Sequence, residues 1–396
     1  YPYPPGSRSN LANYDDWLFV LIAHEFTHVF QLEHAPGLWG VLNAVLGRTF
    51  QPGHMHPSWM TEGFAVVMES LLSGRGRVGF GPFEAVLRAQ LLAQDAFDLG
   101  QISGPVIRPP GGSTPYLYGE AFFSWIVERY GLRALLGFFD SYDRWWLPLF
   151  HDLHARRAFE GHSWHSLYEA WLSETEGSLA TLRAREVTGQ AVTEGGDERS
   201  FPIYTPRGVL MIHATGHDET RIVRRALKSH GEEELVRCRG GCGRLSWDRA
   251  GGRLFFERGS VHRVTYLTKD LFELDLSDGR VRQLTYGARV HDPSWCPAKA
   301  QVVAARTASG DTSLVMIDPE TGALEVLLAL APGIQISDPS CAPDGKAIYF
   351  SAPIDGSWDI WRLDLARNTT EKLTDDPQVE RDLSVVESTG QLLYSV

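Results

Sequence analysis

The run His24-Glu25-Phe26-Thr27-His28 decides how the first half of the chain folds. Apolar residues recur at helical spacing on both sides of this run, so the sequence predicts one helix through the whole segment. Asp15 and Asp16 can cap the start of the helix, and Pro36–Gly37 ends it. Similar patterns continue to about residue 190, which indicates a mainly helical first half.

The two histidines of this run predict a metal site. Residues four apart lie on one face of a helix, so His24 and His28 can direct their imidazoles at the same ion. Glu25 is held beside that ion rather than on it, where a carboxylate can accept a proton from water. This pattern is typical of catalytic zinc, which commonly has three protein ligands. A third ligand must therefore come from elsewhere in the chain.

Two residues compete to be that third ligand. His34 follows His28 at the spacing of the metzincins, which require a glycine between the two histidines to break the helix. Here Gln31 stands in that place, and the nearest turn signal, Pro36–Gly37, comes only after His34. The sequence therefore favours Glu62. His34 is better explained as a polar residue at a helix end.

The surroundings of Glu62 support this choice. Glu62 lies 34 residues after His28, inside a second predicted helix that Pro57–Ser58 opens and Gly74 closes. The loop between the two helices can return the chain antiparallel to the first one. The neighbours of Glu62 are mostly apolar, and a carboxylate is costly to bury among them without a cation. The adjacent Gly63 permits close approach of another helix.

From about residue 195 the chain changes to short apolar or alternating runs between clusters of Gly, Pro, Asp and Ser, which is typical of strands. This half also repeats itself, because Asp292–Pro297 and Asp338–Gly345 carry the same turn-like motif, each before a predicted strand. Equivalent positions, at spacings of 48, 46 and 44 residues, are held by Ser246, Ser294, Ser340 and Ser384. A period in the mid-forties, with four short strands per unit, predicts a β-propeller.

Length and charge restrict the possible functions. A chain of 396 residues is too long for one ordinary core, so we predict two domains, 1–190 and 195–396. The formal net charge of -12 speaks against a nucleic-acid partner, which requires a basic surface. No transmembrane segment is predicted, because no run approaches the roughly 20 apolar residues that span a bilayer. The chain starts with Tyr1 and carries no signal peptide, so we expect a removed leader or a longer protein.

Several motifs together resemble the peptidase-MA-like gluzincins that are fused to TolB-like propellers in exported bacterial proteins. The matching segments are His24–Leu32, Pro57–Ala65, Gly74–Arg77, Pro115–Gly119, Glu128–Gly131, Asp292–Pro297 and Asp338–Gly345. The resemblance implies a multidomain α + β chain: a mainly helical zincin-type catalytic domain followed by an incomplete all-β propeller of four-stranded blades. It also implies Zn²⁺ held by His24, His28 and Glu62, Glu25 as general base, and a periplasmic or extracellular location.

The resemblance further implies a phenol that stabilises the oxyanion of the tetrahedral intermediate, supplied by Tyr116 or Tyr118. Two features depart from the family. Val66 stands where some gluzincins carry an acidic residue that orients a zinc-bound histidine, and Glu69 is a weak candidate for that task. The β-sheet that usually precedes the zinc helix is missing, so we expect the chain to lack an N-terminal part.

The four cysteines lie outside the predicted zinc site. Cys238 and Cys242 belong to a glycine-rich loop, where they form either a local disulfide or two free thiols. Cys296 and Cys341 occupy equivalent places in two repeats, and we predict that they are small buried residues.

Two further histidines, His54 and His56, flank Met55 in the loop before the second helix. Such residues can touch substrate or a second metal. Mobile loop side chains are the more common case, and we expect that here.

Two functions from different classes remain. The first is a zinc-dependent peptidase that hydrolyses peptide bonds with Glu25 as the base, acts on a peptide or protein substrate, and uses its propeller to dock that substrate or a protein partner. The second is a non-catalytic envelope binding protein that acts through its propeller and retains a vestigial metal domain. The intact motif favours the peptidase, because an inactive domain has no need of Glu25.

Overall fold

The computed structural model describes residues 17–395, apart from gaps at 74–76, 79–80, 147–148, 181–192, 194–196, 216, 228–230, 265, 309–310, 332–333, 355–357 and 376–379. The chain divides into two compact units near residue 188. The predicted cap at Asp15 and Asp16 and most of the Gly74–Arg77 motif lie outside the described residues. None of the helices in the described ranges is long and apolar enough to cross a membrane.

The first unit is helical, as the sequence predicts. Its described helices are α1 Trp17–Glu33, α2 Leu38–Leu46, α3 Ser58–Ser73, α4 Gly81–Leu92, α5 Leu99–Ile102, α6 Thr114–Tyr130, α7 Leu132–Asp143, α8 His151–Ala158 and α9 Trp164–Ser178. The predicted metal motif lies in α1, and Glu62 lies in α3.

Helices α3 and α6 cross at two glycines. A Cβ atom added to Gly63 would lie 2.3 Å from the backbone of Gly119, and one added to Gly119 would lie 2.2 Å from the carbonyl oxygen of Trp59. Any larger residue at either position would push the helices apart. This contact sets Glu62, next to Gly63, at a fixed distance from the start of α6.

Large aromatic side chains form the core of the helical unit. Trp59, Phe122, Phe123, Phe138 and Trp164 are all almost fully buried and contact one another through their rings. Full burial of a large apolar side chain contributes about 1.5–3 kcal/mol. The core therefore holds α3, α6, α7 and α9 together and gives the polar groups above it a rigid support.

The second unit consists of antiparallel sheets in which consecutive strands are neighbours. Four sheets have four strands each, and one has two. The strands are β1 Glu198–Thr205, β2 Gly208–Ala214, β3 Arg221–Arg225, β4 Glu232–Arg237; β5 Cys242–Asp248, β6 Arg253–His262, β7 Tyr266–Asp275, β8 Val281–Gln283; β9 Val290–Cys296, β10 Gln301–Ala308, β11 Asp311–Ile317, β12 Leu324–Ala329; β13 Ser337–Cys341, β14 Ala347–Ala352, β15 Asp359–Asp364, β16 Thr369–Lys372; β17 Arg381–Val385, β18 Leu392–Ser395.

The first strands of successive sheets contact one another in chain order, from β1 through β5, β9 and β13 to β17. Sheets that meet at their first strands in this way form a propeller-like arrangement. The four-stranded repeat unit is therefore as predicted.

The structure corrects the position of the repeated motif. The residues around Ser294 and Ser340 form the first strands β9 and β13 themselves, rather than turns before a strand. Asp292 and Asp338 adopt the left-handed backbone conformation, with φ of 51° and 52°, which interrupts the strand pairing locally. A proline and an aspartate at such an irregularity look like a turn in the sequence.

These left-handed aspartates link neighbouring sheets. The carboxylate of Asp338 accepts a hydrogen bond of 3.0 Å from the backbone N–H of Asp382, and that of Asp292 accepts one of 3.2 Å from the hydroxyl of Ser337. Arg244 donates to the other oxygen of Asp338 at 2.7 Å. The buried carboxylate of Asp338 and the half-buried one of Asp292 thus both accept hydrogen bonds from another sheet.

Cys296 and Cys341 are buried, as predicted, and they also form a disulfide that joins β9 to β13. Cys238 and Cys242 form a second, local disulfide, one of the two possibilities left open by the sequence. All four cysteines are therefore paired. The equivalent places of Cys296 and Cys341 in adjacent repeats bring the two residues together, a consequence that the sequence analysis missed.

Candidate metal centre

Helices α1 and α3 bring three potential metal ligands together. The Nε2 atoms of His24 and His28 lie 3.0 Å apart, and each lies 3.3 Å from Oε2 of Glu62. Within the described residues, this is the group of three His, Cys, Asp or Glu side chains whose ligand atoms could hold one ion.

The chemistry of these donors fits zinc. Oε2 of Glu62 is a buried atom without a hydrogen-bond partner. An acceptor in that position is costly unless a cation satisfies it. Two imidazole nitrogens and one carboxylate oxygen are also among the donor sets that catalytic zinc uses. The three residues therefore suit a zinc ion on their own geometry.

The charges at the site are strongly coupled. Burial acts to raise the pKa of Glu62, but contact with His24 and His28 outweighs it and lowers this pKa to about 2. Burial likewise acts to lower the pKa of His24, yet its two carboxylate partners, Glu62 and Glu69, raise it. The carboxylate of Glu62 is therefore ionised at neutral pH.

A second carboxylate orients His24 from behind. Oε1 of Glu69 lies 2.5 Å from Nδ1 of His24, and the Glu69 side chain is fully buried. Arg77 donates from Nε to the other Glu69 oxygen at 3.1 Å. Although burial opposes ionisation, bonds to His24 and Arg77 lower the pKa of Glu69.

Glu69, one turn after Val66 on α3, places its carboxylate against Nδ1 of His24. A carboxylate on Nδ1 fixes the ring of His24 and leaves Nε2 for a metal. The sequence indicated Glu69 only weakly, because nothing in it placed Arg77 beside this residue.

Tyr116, at the start of α6, lies against the same group. Its ring stacks on that of His24 with a centroid distance of 6.2 Å, and the guanidinium carbon of Arg77 lies 5.1 Å from its centroid. Burial, followed by the charge of Glu62, raises the pKa of Tyr116 to about 12. The phenol therefore keeps its proton at neutral pH and can donate it in a hydrogen bond.

The other predicted tyrosine, Tyr118, belongs to the core. It is fully buried, and its hydroxyl donates to Oε1 of Gln90 at 2.7 Å. The hydroxyl oxygen of Tyr118 accepts from the backbone N–H of Phe97 at 3.3 Å. Residues two apart on a helix point to different sides. Tyr118 is therefore not positioned as a catalytic donor, and Tyr116 is the candidate.

Glu25 is exposed on α1, directly after His24. Its charge is close enough to contribute to the raised pKa of Tyr116. Glu25 and Tyr116 therefore lie near each other, and solvent can reach this part of the site at Glu25.

The remaining candidate histidines have other surroundings. His34 is exposed and lies 3.3 Å from Oδ1 of Asp140, outside the group around Glu62. His54 is exposed, whereas His56 is buried. The prediction of a mobile side chain is therefore wrong for His56.

No protein-family model matches this chain. Among solved structures, TolB from Acinetobacter baumannii is similar at 16% identity and a TM-score of 0.36, over 44% of this chain and 42% of that one. A putative TolB from Agrobacterium tumefaciens is similar at 17% identity and a TM-score of 0.44, over 52% of this chain and 72% of that one. A puromycin-hydrolyzing peptidase from Mycobacterium tuberculosis is similar at 16% identity and a TM-score of 0.39, over 49% of this chain and 34% of that one. The chain thus spans less than half of the first TolB, and similarities this weak decide neither fold nor function.

Proposed function

We propose that this protein is a zinc-dependent metallopeptidase of the gluzincin type, with His24, His28 and Glu62 as the ligands. The observation that carries the proposal is the convergence, at separations of 3.0–3.3 Å, of two imidazole nitrogens and a buried carboxylate oxygen that has no hydrogen-bond partner among the described residues. The outer carboxylate Glu69, held by Arg77, supports it.

Zinc at this position would polarise a peptide carbonyl and lower the pKa of a water molecule. Glu25 is the general base: it accepts a proton from the attacking water and passes it to the leaving amine. Its exposure suits this role, because a base must reach water and substrate alike.

Tyr116 donates a hydrogen bond to the oxyanion that develops during the attack. Its pKa of about 12 keeps the phenol protonated over the working range. The stacking on His24 and the neighbouring Arg77 hold the ring in place before the reaction. A donor held ready in this way needs little reorganisation when the charge appears.

We assign the catalytic domain to residues 1–190 and the propeller domain to residues 195–396, where the propeller docks a peptide or protein substrate or a protein partner. We also propose an exported protein, periplasmic or extracellular. The two disulfides support this location, because such bonds persist mainly in oxidising compartments.

The test compares the wild type with Glu25→Gln on an unfolded protein substrate, with zinc content measured for both. We expect equal zinc binding and a loss of activity of about 10²–10⁴-fold in the variant, as for removal of a general base. Glu33→Gln changes an exposed carboxylate on the same helix, paired with Arg48, and is the matched control. It should retain full activity.

If wild type and Glu25→Gln both bind zinc and neither cleaves the substrate, the peptidase proposal is wrong. The non-catalytic propeller protein would then be the better explanation.

A further inference from the structure

A second cluster of metal-binding side chains lies outside the site around Glu62. It comprises His56, just before α3, Asp143 at the end of α7, and His151 at the start of α8. Nδ1 of His56 lies 3.3 Å from Nε2 of His151. The other nitrogen of His56, Nε2, lies 3.8 Å from Oδ1 of Asp143.

These groups are buried and incompletely satisfied. The side chains of His56 and Asp143 are 0% and 2% exposed. Nε2 of His56 and Oδ1 of Asp143 have no hydrogen-bond partner. These two atoms face each other, so that Asp143 is placed as an outer partner of the His56 ring, on the side away from His151.

The cluster shares part of its layout with the site described above, although it has no counterpart of Glu62 and its carboxylate lies 3.8 Å from the histidine, compared with 2.5 Å there. In each, a carboxylate faces one nitrogen of a buried histidine, Glu69 with His24 and Asp143 with His56. In each, the opposite nitrogen of that histidine faces the nitrogen of a second histidine, at 3.0 Å in the first site and at 3.3 Å in this one. A carboxylate behind a histidine is the usual outer partner of a metal-bound imidazole.

The separation of the two imidazoles suits a bridging ion. Two nitrogens bound to one tetrahedral ion at about 2.0–2.1 Å each lie about 3.3–3.4 Å apart. The observed distance between Nδ1 of His56 and Nε2 of His151 is 3.3 Å.

Solvent can reach this position. His151 is only partly buried and lines a cavity of about 560 Å³ together with Pro57, Met60, Phe150 and Asp152. Water, or a ligand that enters through the cavity, can fill the coordination positions that the two histidines leave open. Imidazole pairs of this kind select zinc, copper, cobalt or nickel over magnesium and calcium.

We propose that His56 and His151 bind a second divalent transition-metal ion, with Asp143 orienting His56 from the far side of its ring. This site is separate from the proposed catalytic zinc, and its existence does not depend on peptidase activity. The ion ties the segment before α3 to the start of α8.

The test is the zinc stoichiometry of the whole chain, measured by equilibrium dialysis with zinc ion alone. We expect two ions per wild-type chain, one in His151→Gln and one in His28→Gln, and none in the double variant. His165→Gln removes an exposed histidine of α9, which pairs with Glu169, and should retain two ions. The proposal is overturned if His151→Gln binds as many ions as the wild type. A wild type with one ion that is kept in His28→Gln and lost in His151→Gln would instead contradict the proposed catalytic site.

Anomalous diffraction at the zinc edge on wild-type crystals keeps the test decisive if His151→Gln is unstable. We expect a peak between Nδ1 of His56 and Nε2 of His151. A zinc-soaked crystal with a peak at His24 and His28 but none at His56 would mean that the two imidazoles share only a hydrogen bond.

Discussion

Two carboxylates, one in each unit, differ in how their buried oxygens are hydrogen-bonded. Asp270 of the propeller is fully buried, and its oxygens accept from Thr285 at 3.0 Å and from the backbone N–H groups of Gly287 and Ala288 at 2.9 and 2.8 Å. Oε2 of Glu62 in the helical unit is also buried, but it has no hydrogen-bond partner among the described residues and lies 3.3 Å from one nitrogen of each of two imidazoles.

We infer from this difference that Asp270 stabilises the fold, whereas Glu62 serves to bind a cation. The propeller provides its own donors for Asp270, so that this group needs nothing from outside the chain. The helical unit instead sets Oε2 of Glu62 against two imidazole nitrogens that can themselves bind a metal, an arrangement that a cation would complete. Changing each carboxylate should therefore affect different properties of the protein.

The largest effect is expected at Glu62. Glu62→Gln removes the charged ligand, and we expect zinc affinity to fall by on the order of 10³-fold or more, beyond the 10–100-fold that is typical of an outer partner. The affinity can be measured by competition with a chromogenic chelator. A loss of affinity of no more than about 100-fold, the range of an outer partner, would place the third ligand elsewhere.

Breaking the disulfide between β9 and β13 should have the next largest effect. Cys296 and Cys341 are 45 residues apart, so replacing both with Ser should cost about 4 kcal/mol of unfolding free energy through loop-closure entropy. The matched control is the pair Cys238 and Cys242, only 4 residues apart, whose loss should cost about 2 kcal/mol.

Urea denaturation of the propeller signal measures both disulfide variants, and neither should change zinc affinity. An equal loss of stability in the two would contradict the loop-closure explanation.

Asp270→Asn should be destabilising by about 3 kcal/mol, because an amide cannot accept from all the donors that face this side chain. Zinc affinity should stay at the wild-type value. Chemical denaturation measures the unfolding free energy, and the chelator assay on the same preparation measures the zinc affinity. A loss of zinc binding would show that the two carboxylates are not independent.

The smallest effect is expected at Glu69, which orients His24. Glu69→Gln should weaken zinc binding about 10–100-fold. Glu84→Gln, at an exposed ion pair with Arg88 on α4, is the control and should bind zinc as the wild type does. A Glu69 variant with unchanged affinity would reduce this residue to a packing role.

Much of this arrangement could be predicted because its signals are local or periodic. His24 and His28 lie one helical turn apart, and the propeller repeats at a nearly constant spacing. Glu62 required a further step, the exclusion of His34 on the grounds of helix continuity. In the structure, the potential ligand atoms of His24, His28 and Glu62 lie within 4.8 Å of one another.

What could not be predicted depends on contacts between distant segments. His56 and His151 are 95 residues apart and belong to no motif, so only the aromatic core that packs α3 against α7 brings them together. The choice between Tyr116 and Tyr118 depends on the rotation of α6. The pairing of Cys296 with Cys341 was within reach, because their separation of 45 residues equals one repeat.

The central claim is that His24, His28 and Glu62 hold one zinc ion. Anomalous diffraction at the zinc edge, on crystals of the wild-type protein grown with zinc, tests it most directly. The account predicts a peak at about 2.0–2.2 Å from Nε2 of both histidines and from the Glu62 carboxylate. A zinc ion bound by the two histidines together with any other side chain, or no peak at this position, would contradict it.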